Sequence, residues 1–392
     1  MGCLGGWVLV SRGNLRQQEL IEQLKTMYKL CKLCSLRQGV SPSKRRQLKP
    51  YYQECYICNG LMNELDSIKR KIMISIDGKY EFDTFLIGAS LPTQIYERED
   101  ELRSKFKIHG SENVKSQLTR MLRIAFAKSS GTKIDYLLPD VIINLSFEER
   151  DKMKIVIDAR PLIFTGTYIK KCRGIQQKQG RCNKCTGRGC NFCGKSGLSG
   201  YDSVEGIIAK ALMSTTKGSN PKFCWVGSED KQSLVLGRGR PFFVRISQPK
   251  VRKLKDDLKI DYECLSAIIT YKPMKAMPIY PLKFITKTTI LTSCDKRLSE
   301  SEYRKLDSLA GSTISFSANS KKSTKKIYSA GVTEVTPNKF RLTITADGGL
   351  AIKQFIEGRE YMKPNISEIV GANCQCLLFD VLDLWIGKEF LN

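Results

Sequence analysis

Apolar residues recur along this chain with two different periods, and the two kinds of segment alternate. Leu20, Ile21, Leu24 and Met27 form one stripe, and Asn14 with Gln17 has capping-box spacing, so a helix is expected over 14–29. Val114, Leu118, Met121, Leu122 and Ala125 share a face between Ser111 and Lys128, which predicts a second helix. Val204, Ile207, Ile208, Ala211 and Leu212 repeat the pattern after Ser203. Shorter β-branched and aromatic runs read as strands: 141–145, 155–157, 162–164, 223–226, 268–271 and 340–345, with one or two more inside 66–90. Leu234–Leu236 and Phe242–Ile246 suggest a hairpin around Gly237-Arg238-Gly239, and 311–326 reads as an exposed mobile loop ending in four lysines within six positions. Helices mixed with strands give an α+β chain rather than a bundle.

Length and charge sharpen this picture. At about 150 residues per domain, 392 residues imply two or three domains. The expected boundary falls in GKSGLSG (194–200), giving domains 1–198 and 199–392. Lys plus Arg number 65 against 39 acidic residues, a formal charge of +26, which implies an anionic partner with nucleic acid ahead of a membrane. No stretch of 18 apolar residues occurs, so no membrane partner is expected. The start of the chain does not read as a signal peptide, so a reducing, cytoplasmic compartment is expected, and 15 cysteines then need a reason other than disulfides.

Eight of them fall in two groups. Cys31, Cys34, Cys55 and Cys58 form two Cys-x-x-Cys turns separated by twenty residues; Cys182, Cys185, Cys190 and Cys193 form a tighter set. Four thiolates at such spacing suit a closed structural zinc site, with an iron–sulfur cluster as the alternative, so one or two zinc ions are expected. Catalytic zinc chemistry is poorly supported because His109 is the single histidine, and it reads as a cap or surface residue. Cys224, Cys264 and Cys374 read as small core residues. Basic residues flank both groups: Lys44, Arg45, Arg46 and Lys49 read as a phosphate-contacting finger or a solvated loop, and Lys170, Lys171, Arg173, Lys178 and Arg181 lead into the second group.

Candidate chemistry sits after Val226. In Gly227-Ser228-Glu229-Asp230, a carboxylate at a strand end precedes Lys231, Arg238 and Arg240, a pattern that fits a nucleophile or general base beside a phosphate grip, or an ordinary turn. The stretch GSEDKQSLVLGRGRPF resembles the signature of the Pus10 family of tRNA pseudouridine synthases, keeping Gly227, Glu229, Asp230, Leu236, Gly237, Gly239, Arg240, Pro241 and Phe242. Family-like stretches follow the same order along the chain: 115–145, RPLIFTGTYIKKCRG (160–174), SVEGIIAKAL (203–212), KIYSAGV with Tyr328, FRLTITADGGLAIKQFIEG with Ile352 and Lys353, and KPN (363–365). Cys31, Cys34, Cys55 and Cys58 match its N-terminal zinc knuckle.

The resemblance implies an N-terminal zinc-containing THUMP-like RNA-binding region and a C-terminal mixed α/β catalytic domain. It implies isomerisation of uridine to pseudouridine at positions 54 and 55 in the TΨC arm of tRNA, with no catalytic cofactor and no obligatory protein partner. Asp230 would be the nucleophile, Tyr328 would stack on the base, and Arg240 or Lys353 would hold a phosphate or orient Asp230. Ile352, Lys353, Arg173 and Lys170 would contact substrate. Departures stand at Gln232, where the family has a second acid, at Leu234, where it has arginine, and at Ala351 and Gln354. The alternative is a zinc-knuckle RNA-binding protein without activity.

Overall fold

The structure is a computed structural model that describes residues 23–24, 26–39, 54–109, 112–148, 152–254, 256–274, 276–278, 282–318, 321–358 and 362–387. It divides into two units, 1–160 and 161–392. Most of the expected helix over 14–29 and the whole basic segment 41–50 lie outside the described residues.

The first unit contains helices α1 (Lys32–Arg37) and α2 (Leu65–Ile76), strand β1 (Thr84–Ser90), helices α3 (Thr93–Lys105) and α4 (Val114–Ser130), and strands β2 (Lys133–Ile134), β3 (Val141–Phe147) and β4 (Met153–Ala159). The sheet order is β2-β1-β3-β4, with β1 parallel to both neighbours and β4 antiparallel to β3. Ile68, Ile72 and Ile76 of α2 and Leu118, Leu122 and Phe126 of α4 are buried in one core with Phe85 and Ile87 of β1. The expectation of one or two strands over 66–90 is therefore half right: the four-residue spacing of the isoleucines makes the first part a helix. Asn113, not Ser111, caps α4, its side chain accepting from the Ser116 amide at 2.8 Å.

The second unit contains β5 (Leu162–Lys170), α5 (Val204–Thr216), β6 (Ser219–Trp225), β7 (Val235–Ser247), β8 (Leu258–Tyr262), β9 (Leu265–Tyr271), β10 (Phe284–Cys294), α6 (Glu300–Asp307), β11 (Thr313–Ala318), β12 (Lys321–Thr336), β13 (Lys339–Asp347), α7 (Ile352–Glu357), β14 (Met362–Lys363), α8 (Ile366–Val370) and β15 (Cys374–Ile386). Its strands form one sheet in the order β14-β11-β12-β13-β10-β15-β7-β5-β9-β8, with β6 also on β7. Two mostly antiparallel halves meet at β15 and β7, whose parallel register is the pair Val381 and Val235. The Val381 amide donates to Leu234 O at 3.0 Å across this seam. Helix α5, capped by Ser203, buries Val204, Ile208 and Leu212 on one half, while Phe355, Ile356 and Ile366 of α7 and α8 bury on the other.

Four expectations change. The domain boundary moves from 198 to 160, because β5 pairs with β7 and β9 and the second cysteine group is bound to the same unit. There, Lys222 Nζ donates to Gly187 O at 3.0 Å and the Asn220 amide donates to Lys195 O at 2.9 Å. The hairpin around Gly237 is instead one continuous strand, in which Gly237 (φ +57°) and Gly239 (φ +80°) bend β7 between close neighbours. The loop over 311–326 is largely the hairpin of β11 and β12, since Ile314 and Phe316 alternate inward on a β-branched background. Finally, Cys264 is bonded to Cys172 as a disulfide, and Cys374 lies 2.7 Å from Cys294, Sγ to Sγ; Cys224 is buried as expected. The antiparallel register of Lys170 with Leu265 brings the first pair together. No described helix is long and apolar enough to cross a membrane.

The seam allows no side chain at Gly237, where a Cβ would overlap Leu382 O and φ is left-handed. Gly237→Ala is expected to lower stability by at least about 1–3 kcal/mol. Urea unfolding followed by near-UV circular dichroism checks this.

Candidate active site

A cleft of about 1050 Å³ opens in the second unit where several elements end together. Trp225 and Gly227 come from the end of β6, Phe284 from the start of β10, Gly348 from the end of β13, Ile352 and Lys353 from the start of α7, and Phe379 from β15. Arg181, Gly187, Gly197 and Leu198 of the second cysteine segment form another wall. Phe284 packs so closely on Gly348 that no side chain fits at that position.

The turn from Val226 to Leu234 carries the acidic residues, and a buried ionic cluster shapes it. The Glu229 side chain is fully buried with Arg240 Nε 2.7 Å from Oε2 and Lys170 Nζ 3.8 Å from Oε1. The Tyr168 hydroxyl donates to the same carboxylate at 2.7 Å and accepts from Gln177 Nε2 at 3.0 Å. Burial, together with the Glu229 charge, pushes the Tyr168 hydroxyl well above the usual tyrosine range, so it stays a donor. Burial pulls the Lys170 ammonium down, and Glu229 and Asp230 oppose that shift. Arg240 donates to Val226 O at 2.7 Å and to Ser228 O at 3.4 Å, so one guanidinium holds both sides of Gly227 (φ +78°). Lys170 Nζ donates to Ile175 O at 2.9 Å and to Asp230 O at 3.1 Å, fixing the backbone of the next residue.

Asp230 itself reaches the cleft. Its Oδ1 accepts from the Gln232 amide at 2.9 Å and its Oδ2 from Lys353 Nζ at 2.7 Å. The Gln232 amide, and then Lys353, hold the carboxyl below the usual Asp range, and the pairing raises Lys353 in return. The carboxylate is thus anionic at neutral pH and 31% exposed. A cation 123 residues away in sequence sits on it.

Of the residues singled out from sequence, Asp230, Arg240, Ile352 and Lys353 line this cleft. Arg240 is only 1% exposed and acts on Glu229 and the turn, so it is a positioning residue and not a phosphate grip. Lys170 is fully buried and cannot touch substrate. Arg173 pairs with Asp380 at 2.7 and 2.8 Å and donates to Gln232 O, which makes it a clamp on the turn. Tyr328 is not among the lining residues. Its hydroxyl donates to Asp347 Oδ1 at 2.9 Å, and its ring is 44% exposed. The bond to Asp347 raises the Tyr328 hydroxyl above its ordinary value.

Sequence reasoning had assigned no role to Glu229, Tyr168, Gln177 or Asp380. The first two stand in stretches that carry the family resemblance, but Asp380 left no local signal. Asp380 Oδ1 accepts from the Leu234 amide at 2.8 Å. The departures at Gln232 and Leu234 therefore fall where the backbone amide, not the side chain, makes the contact.

Each group of four cysteines has its sulfur atoms within 4.8 Å of one another, so either can hold a metal ion. In the first, all four are buried, and Arg37 donates to Cys34 Sγ at 3.4 Å while its Nε pairs with Glu99 at 2.6 Å. In the second, the amides of Gly189, Cys190 and Gly197 each donate to a sulfur at 3.2 Å. Burial opposes ionisation there, but the amides of Cys190 and Gly197 pull the Cys193 thiol down to about 6. Such donor sets suit thiolates on a cation.

Comparison with known proteins follows the same division of the chain. The family description "Pus10 THUMP domain, archaeal" matches residues 70–146, and "Pus10, C-terminal" matches residues 163–307. The tRNA pseudouridine synthase Pus10 of Nitrosopumilus maritimus is 34% identical over 336 residues, 85% of this chain and 86% of that protein. Its namesake in Cenarchaeum symbiosum is 31% identical over 86% and 82% of the two chains, and that of Methanocaldococcus jannaschii 28% over 95% and 82%. A chain of a solved Cbf5-Nop10-Gar1 complex aligns at 12% identity over 56% of this chain and 48% of its own, with a TM-score of 0.30, too low to bear on the fold. With both family descriptions in register with the two units and one-third identity to a relative along most of its length, the chain belongs to the Pus10 family of tRNA pseudouridine synthases.

Proposed function

We propose that this chain converts uridine to pseudouridine at positions 54 and 55 in the TΨC arm of tRNA, with Asp230 as the nucleophile. The observation that carries the reading is the Asp230–Lys353 pair at 2.7 Å inside the cleft. A protein that only binds RNA has no use for a carboxylate aimed into a cleft and oriented there by a lysine from a distant helix.

The target uridine must leave its stack to enter, at a cost of a few kcal/mol. Phe284, Ile352 and Phe379 supply an apolar wall for the uracil. Asp230 acts as the nucleophile, the N1–C1′ bond breaks, and the uracil turns in the cleft. The bond that Asp230 makes breaks again as C5 bonds to C1′, which regenerates the carboxylate. C5 gives up its proton, and N1 takes one, so no redox partner is needed. Lys353 keeps Asp230 ionised and oriented. The exposed ring of Tyr328 offers a face on which the incoming base can stack. Asp230 is aimed by its neighbours: Glu229 anchors the turn from below, and Arg173 with Asp380 clamps its far end.

The reading includes structural zinc at both cysteine groups, with tRNA as the partner, a cytoplasmic location and no obligatory protein partner. A zinc ion on four thiolates has no open position, so it supplies folding energy and not chemistry.

Asp230→Ala is expected to lower pseudouridine formation on unmodified tRNA by at least about 10³-fold while tRNA binding changes by no more than about threefold. Single-turnover assay and filter binding check the two halves; retained activity removes Asp230 from the role. Because the folded carboxyl titrates below its unfolded value of about 3.9, its stabilising contribution is complete above that pH and is lost as pH falls through the depressed value. Lys353→Met removes one cause of the depression, so the acid limb of the pH–rate profile moves to higher pH.

Glu229→Gln leaves Arg240 and Lys170 buried without their counter-charge, and a loss of about 3–5 kcal/mol is expected in denaturant unfolding. Elemental analysis of the purified protein is expected to find two zinc ions per chain, and Cys34→Ser is expected to leave one.

A further inference from the structure

The second cysteine group lies in the catalytic unit and not in the RNA-binding unit, and it forms part of the cleft itself. Arg181, Gly187, Ser196, Gly197 and Leu198 line the same space as Asp230 and Lys353, and Lys178 lines it just before the first cysteine. The segment is locked in that place. An isolated bridge joins Arg181 to Leu198, Lys222 reaches across to Gly187 O, and the Asn220 amide holds Lys195 O. Gly197 packs against Gly187 O at a distance (2.6 Å from an ideal Cβ) that only glycine permits.

Its chemistry is one-sided. Between 178 and 200 there are five basic residues, Lys178, Arg181, Lys184, Arg188 and Lys195, and no acidic one. All five are exposed, and among the described residues no ion pair engages Arg181. Four thiolates on a zinc ion leave a net charge of about −2, which the three amides that donate to sulfur soften without cancelling, and five basic residues exceed what that charge requires. Phe192 projects from the same turn, 71% exposed, with Lys184 Nζ 4.1 Å from its ring centre. Exposed basic residues beside an exposed aromatic ring are what a nucleic-acid strand requires, phosphates for the cations and a base for the ring. An acidic protein partner would be served by the charges but would leave Phe192 without a purpose.

We propose that the Cys182–Cys193 knuckle is an RNA-gripping wall of the active-site cleft, in which Lys178 and Arg181 contact phosphates beside the target uridine and Phe192 stacks on an unpaired base. The proposal deepens the pseudouridine synthase reading and rests on it for the identity of the strand. The metal's part is to hold the turn rigid, so that these contacts are fixed relative to Asp230 before RNA arrives.

The test uses the full chain and an unmodified tRNA transcript. Lys178→Gln with Arg181→Gln should weaken tRNA binding about tenfold or more at physiological salt, and the slope of log affinity against log salt should fall by about two. The single-turnover rate at saturating enzyme should stay within about threefold. Phe192→Ala should weaken binding about fivefold or more without changing the slope. Cys190→Ser with Cys193→Ser should release one zinc per chain and reproduce the binding loss; if that variant does not fold, the charge variant decides. Unchanged affinity and salt slope in the charge variant overturn the proposal, as does a loss of rate alone. Failure of the underlying reading has a different signature, in which the wild-type chain binds tRNA and forms no pseudouridine.

Discussion

The buried carboxylate of Glu229 is the constraint on which the active site depends. Taken alone, an ionised Glu in a fully desolvated position would be heavily penalised, and so would Arg240 or Lys170. Together they are tolerable because their geometry satisfies nearly every polar group: the guanidinium reaches Val226 and Ser228 carbonyls, and the ammonium reaches those of Ile175 and Asp230. The cluster contributes little to net stability by comparison with an apolar core of the same shape. What it contributes is position. It fixes the backbone on both sides of Asp230 while leaving the Asp230 side chain free to face the cleft.

A second constraint acts at the seam between the two half-sheets. β7 and β15 share a single registered parallel pair, and side chains and close packing carry the rest of the seam: Gly237 lies against Leu382 O and Arg238 pairs with Asp383 at 3.0 Å. Asp380 adds to this, accepting from the Leu234 amide and binding Arg173, which in turn holds Gln232 O. The turn bearing Asp230 is therefore attached to three strands, β5, β7 and β15, and Lys353 approaches from the helix that follows β13. This arrangement explains why a glutamine and a leucine can occupy positions where the family has charged side chains. Their main-chain amides make the contacts, and any residue other than proline supplies an amide.

The cysteines and the charge of +26 belong to one design. The first four-cysteine group lies beside the buried Arg37–Glu99 pair, and the second lies in a basic segment at the cleft. A segment as rich in lysine, arginine and glycine as 178–200 buries little apolar surface with which to order itself. A metal ion on its four sulfur atoms would order such a turn without consuming its charges.

Local patterning in the sequence determined much of this protein. The helix over 204–216 with its Ser203 cap, the strands at 141, 155, 162 and 340, both cysteine groups and the turn bearing Asp230 follow from periodicity, turn residues and spacing. Three kinds of feature did not. A glycine pair reads as a hairpin whether the chain reverses or merely bends, and only the closeness of Leu382 and Tyr168 to β7 decided for a bend. A basic residue reads as exposed, yet Lys170 and Arg240 are interior because Glu229 is there to receive them. The pairing of Asp230 with Lys353, and of Leu234 with Asp380, joins residues more than a hundred positions apart. Such contacts leave no period in a single sequence, since strand order and burial, which create them, exist only once the sheet has closed.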